Sequence, residues 1–360
     1  MTIYNEMKDC HIALATGDDA GGGSGLTAWR NADQPFIQGE LIPSDVMLGW
    51  TNTLPSYETK TTGAMTSSRI KKRFSTRRKS GIWKSKHALQ TAQFCFWLMQ
   101  TTGTPTTEGT PVGYNTHTLT IGATNIPDWH GIHFEREGIS GNELRYDLMG
   151  FLPSDLVINC GESIDNYKAT QEITIPYVYA NKSASNLTPQ TPRDTGAIGS
   201  IWKDWSHLID GNGGGDAPSG LTYNAAQLEV DVKNVRVKLH RNHYFGTPDT
   251  VGYPTIGMIL GWDYSVELDV VPIGDLLYAV NDTKKEDYND LDYDFKFQAN
   301  ASNDYIRFNF DKMYMIPFDE TNDWDKVLEG YHITLEPLDI TSSLTVIGID
   351  NLNNNHYENP

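Results

Sequence analysis

Large apolar residues recur at every second position over long stretches of this chain, the pattern of strands that bury one face. Between Met258 and Val270 the even positions hold Met258, Leu260, Trp262, Tyr264, Val266, Leu268 and Val270, while most odd ones are small or polar. At about 3.3 Å per residue this stretch spans roughly 43 Å, far beyond the usual strand of about five or six residues. Residues 228–239 add a second device. Leu228, Val230 and Val232 are even, then Val235, Val237 and Leu239 are odd, so the buried face changes at Lys233-Asn234 and a bulge or tight turn is predicted there. Leu291, Tyr293, Phe295 and Phe297 alternate again, as do Ile306, Phe308 and Phe310.

Shorter strands are predicted at Asp45 to Trp50, His117 to Ile121, Gly131 to Glu135 and Leu144 to Leu148, and Ile173 to Tyr179 is almost continuously apolar. One segment has helical spacing. Ala88, Ala92, Cys95 and Met99 lie on one face of a helix over 87–100, stopped by Gly103 and Pro105. Residues 1–30 read as an arm, because Gly17 to Gly25 carries neither strand alternation nor a helical face. The expected organisation is an N-terminal arm and first strand region over 1–44, one β domain over 45–350 and a polar tail over 351–360. Within the domain, Pro189, Pro192 and the run Gly211 to Gly215 mark a loop insertion over 181–224, with a short helix around Trp202 to Ile209.

Composition supports the all-β class, since 18 Tyr, 12 Phe and 9 Trp stand beside 32 Gly and 17 Pro in 360 residues. Charge changes the picture more. Thr59 to Thr107 contains no Asp or Glu, yet ten Lys or Arg fall between Lys60 and Lys86. The other 18 basic residues face 46 acids, so the segment carries about +10 and the remainder about −28. With few large apolar residues and many Ser and Thr, residues 58–86 read as a hairpin or loop projecting from the body. A basic projection and an acidic body are complementary surfaces, which suits a protein that recognises copies of itself. The same segment, with Arg77-Arg78-Lys79, also has the look of a phosphate-binding cluster, and a solvated loop without a partner is the third reading.

Candidate chemistry is sparse. His130 and His133 are three apart in a predicted strand and so fall on opposite faces, which disfavours a shared metal. His240 and His243 flank Arg241 with no acid nearby in sequence. Asp290, Asp292 and Asp294 mimic a calcium loop, but they alternate with Leu291, Tyr293 and Phe295 and read as a solvated strand face. Cys10, Cys95 and Cys160 have neither disulfide nor zinc spacing. No nucleophile elbow, phosphate loop or zinc-protease helix occurs, and no catalytic, cofactor or metal residue is expected. The N-terminus has no basic region followed by an apolar run, so neither export nor membrane insertion is expected.

The chain resembles the tail tube proteins of long-tailed double-stranded DNA viruses. The resemblance is carried by the projecting segment 58–86, the helix ending Phe94 to Met99, Tyr114 to Leu119 with its turn into Trp129 to Glu135, and Leu144 to Gly150 followed by Ser154 to Asn159. It covers 45–180 and, more loosely, 226–350. It implies a sandwich of two antiparallel sheets with one flanking helix, in which one sheet joins its neighbours in a multi-subunit β-barrel. It further implies stacked hexameric rings, contacts with tape measure and tail-end proteins, transient passage of viral DNA, and residence in the virion tail after synthesis in the host cytoplasm. By position in the motif, Arg69, Lys71, Lys72, Arg73, Arg77, Arg78 and Lys79 would lie at ring-to-ring contacts. Another β-rich virion component, such as a capsid decoration or baseplate protein, is the alternative, followed by an enzyme or carbohydrate-binding module.

Overall fold

The computed structural model describes residues 10–16, 40–42, 47–53, 60–66, 69–75, 81–88, 106–108, 115–121, 130–136, 144–150, 154–161, 169–182, 205–209, 218–224, 226–246, 256–284, 290–299, 305–318 and 330–350. The first strands are β1 (Cys10–Thr16), β2 (Glu40–Ile42), β3 (Met47–Thr53), β4 (Lys60–Thr66), β5 (Arg69–Ser75), β6 (Gly81–Ala88) and β7 (Thr106–Glu108). They are followed by β8 (Asn115–Ile121), β9 (His130–Arg136), β10 (Leu144–Gly150), β11 (Asp155–Gly161), β12 (Thr170–Lys182), β13 (Trp205–Ile209), β14 (Gly220–Tyr223) and β15 (Ala226–Gln227). The C-terminal part holds β16 (Val230–Gly246), β17 (Ile256–Pro272), helix α1 (Leu276–Lys284), β18 (Leu291–Ala299), β19 (Tyr305–Met315), β20 (Tyr331–Pro337) and β21 (Ser343–Asp350). The protein is mainly β, with one helix among the described residues and antiparallel ladders.

At the centre stands the hairpin β16–β17, two strands of 17 residues each. The long alternation makes this possible: Val235, Val237 and Leu239 lie opposite Leu268, Val266 and Tyr264, and all six are buried. β11 flanks β16, β20 flanks β17, and β12 and β19 lie outside these, so six strands adjoin in the order β12–β11–β16–β17–β20–β19. Beneath them Phe295 and Phe308 stack at 5.3 Å between centroids, and Phe297 and Phe310 extend the aromatic row. Such offset and edge-on ring pairs add to the burial of their area. α1 closes one end by burying Leu277 and Val280. Its Asn281 side chain both donates to and accepts from the Phe318 backbone, at 3.1 Å each way.

Two strands are interrupted, and there the sheet forks. β10 and β11 follow one another along one edge of β12, whose other edge carries β6. β20 and β21 do the same along β19, opposite β18. The two parts of each interrupted strand then take different outer neighbours. β10 continues through β9 to β1 and β2 while β11 meets β16; β21 continues to β8 and β7 while β20 meets β17. Traced through these ladders, the sheet branches without closing into a barrel.

The predicted bulge is present, with a register shift between Val232 and Asn234. Opposite it stands Gly161, where a Cβ would meet Asn234 Oδ1 at 1.8 Å, so the bulge and this glycine require each other. The long strand expected over 258–270 is also found. Its uniform alternation is not: a second shift between Asn242 and His243 makes Leu260 the extra residue, and Leu260 is 66% exposed.

Other expectations need correction. Trp205–Ile209 is strand β13 and not helix, because the edge of β18 offers it backbone partners that no local pattern reveals. The span expected as a loop insertion thus carries β13 and β14, both paired with β18. His87 and Ala88, expected to open a helix, end strand β6 against β12, and 89–100 lies outside the described residues. Part of the expected arm, Cys10–Thr16, is a strand paired with β9 and β2. Asp294, expected on a solvated face, is buried, because Arg307 and Ser219 supply its hydrogen bonds. The polar tail 351–360 lies outside the described residues.

Candidate assembly interface

The basic segment folds as a ribbon of its own. β4 and β5 pair from Lys60↔Ser75 to Thr66↔Arg69, with only Ser67-Ser68 between them in sequence, and form a two-stranded sheet separate from the main one. In the register of this ribbon Arg69, Lys71, Lys72 and Arg73 stand opposite Thr66, Ala64, Gly63 and Thr62. Four of the expected interface cations thus fall on one strand, β5. Arg77, Arg78 and Lys79 lie outside the described residues.

The basic stretch then re-enters the main sheet as β6, paired with β12 and β3. There Trp83 is buried and its Nε1–H donates to Ser85 Oγ at 3.0 Å, while Lys86 pairs with Glu172 at 3.0 Å. Lys86 is therefore committed within the fold.

Two groups of acids in the described body contrast. On the outer face of β11, β16, β17 and β20 they meet bases across strands. Asp155 Oδ1 holds His240 Nδ1 at 2.7 Å, Glu267 pairs with Lys238 and, at 3.6 Å, with Arg236, and Asp269 holds His332 Nδ1 at 2.8 Å while accepting from Asn234 Nδ2 at 2.7 Å. The hydrogen bond to Asp155 is the main reason that the His240 pKa lies above its usual value. Asp155 is 85 residues from His240, so this partner was invisible to a search along the sequence.

On β18 and β19 the acids meet one another. Asp311 has a raised pKa, first because burial disfavours its charge and then because it shares a hydrogen bond with Asp292, with Asp290 adding like-charge repulsion. The backbone turns here: Lys312 has a φ of 56°, its N–H donates to Asp292 Oδ1 at 3.0 Å, and its ammonium donates to Thr341 Oγ1 at 2.8 Å. An adjoining acid is treated differently. Asp294 is buried beside Arg307, which binds it through two nitrogens, and it also accepts from the Ser219 backbone at 3.0 Å.

At the level where β11 ends, the apolar row of β16 gives way to a polar one. Arg241 is 2% exposed and its N–H donates to the Ser154 carbonyl at 2.7 Å. Burial lowers its guanidinium to about 9, which leaves it charged at neutral pH, and His243 is held near 4 by burial and then by Arg241. His240 and His243 therefore differ in state at mildly acid pH, between about 4 and 6.5, although the sequence presents them alike. Cys160 is buried, and its thiol is pushed up to about 12, which suppresses the reactive thiolate. Among the described residues no three His, Cys, Asp or Glu converge in a way that would hold a metal ion.

Neither the scan against protein-family models nor the search of curated proteins finds a match to this chain.

Proposed function

We propose that this chain is a structural virion protein, a tail tube subunit that forms stacked hexameric rings around the path of the viral genome, without catalysis or cofactor. The observation that carries the reading is the basic ribbon β4–β5, a separate two-stranded sheet with five Lys or Arg and no acid, in a protein whose remaining charge is about −23. Such a ribbon is a ready means of contact between like subunits, because its cationic strand complements the acidic body of the next copy. The forked sheet supports the reading in a second way. In this reading the two diverging branches would form the two layers of a sandwich, one of them continued by neighbours in the ring. Arg69, Lys71, Lys72 and Arg73 then make the ring-to-ring contact, with Arg77, Arg78 and Lys79 contributing, and tape measure and tail-end proteins bind the tube's lumen and ends. A net charge of −18 keeps passing DNA from adhering.

Negative-stain electron microscopy of the purified protein over a range of concentrations tests this. Rings or hollow tubes of uniform diameter are expected, and deletion of residues 65–80 should leave a folded protein that no longer builds long tubes. A persistent monomer would instead favour the decoration or binding-module alternatives. Normal tubes from the deletion variant would remove the ribbon from the stacking contact.

A further inference from the structure

We draw no further inference here: the strongest candidate, the carboxylate cluster of Asp290, Asp292 and Asp311 beside the β18–β19 ladder, is a group of acids alone, and nothing among the described residues shows what ligand or partner would cover it.

Discussion

The outer face of the central sheet and the β18–β19 ladder use acids in opposite ways. On the first, Asp155, Glu267 and Asp269 each face a His, Lys or Arg from the adjacent strand, although the protein as a whole is strongly acidic. On the second, Asp292 and Asp311 share a hydrogen bond while Lys312 turns its ammonium to Thr341. Net charge alone therefore says little about where a basic partner would dock. A face whose charges are matched internally offers little net field, whereas stacked carboxylates retain theirs.

Breaking the buried member of the second region gives the largest effect. Arg307→Ala strands Asp294 in a site where its side chain is 4% exposed, at a cost of about 3 kcal/mol, measurable as a lower urea midpoint with unchanged slope. Two remaining hydrogen bonds from Ser219 keep the loss near the low end of such cases.

A smaller effect of opposite sign is expected at Asp311 on β19. The folded-state pKa of Asp311 is raised, so its contribution to stability is fully present below the unfolded carboxyl value and is lost as pH rises through the folded one. Asp311→Asn should therefore stabilise the protein at pH 7, by about half a kcal/mol after solvent screening, and have no such effect near pH 3. Thermal melts at the two pH values read the difference. Equal shifts at both would mean that like-charge repulsion is not the cause.

The least effect lies on the matched face. The pKa of His240 is also raised, so the stability from its pairing with Asp155 is present below the ordinary histidine value of 6.5 and fades as pH climbs through the shifted one. Both side chains are about half exposed, so His240→Gln should cost only about 0.3 kcal/mol at pH 5.5 and nothing measurable at pH 9. A histidine-resolved NMR titration of the wild type would show the upward shift directly, and an unshifted curve would dissolve the pair in solution.

Much of the fold was legible because strand periodicity is a local property. A residue's choice of face depends on its immediate neighbours, so the long β17, the face change at Lys233-Asn234 and the aromatic row of β18 and β19 could be read in order. The basic ribbon was readable for a similar reason, since absence of acids and scarcity of large apolar residues over one stretch leave little to bury. The helix expected at 202–209 failed because a short apolar run takes its conformation from whichever edge it meets, here that of β18.

The amino-acid order by itself thus determined the class of secondary structure, the separation of a cationic hairpin from an acidic body, and most of the residues that form the core. Tertiary structure alone decided which acids are neutralised, since Asp155 and His240 lie 85 residues apart and meet only through the β11–β16 register. It also decided where the sheet forks. These features depend on pairings between distant strands, whose register is fixed by the summed burial of whole faces.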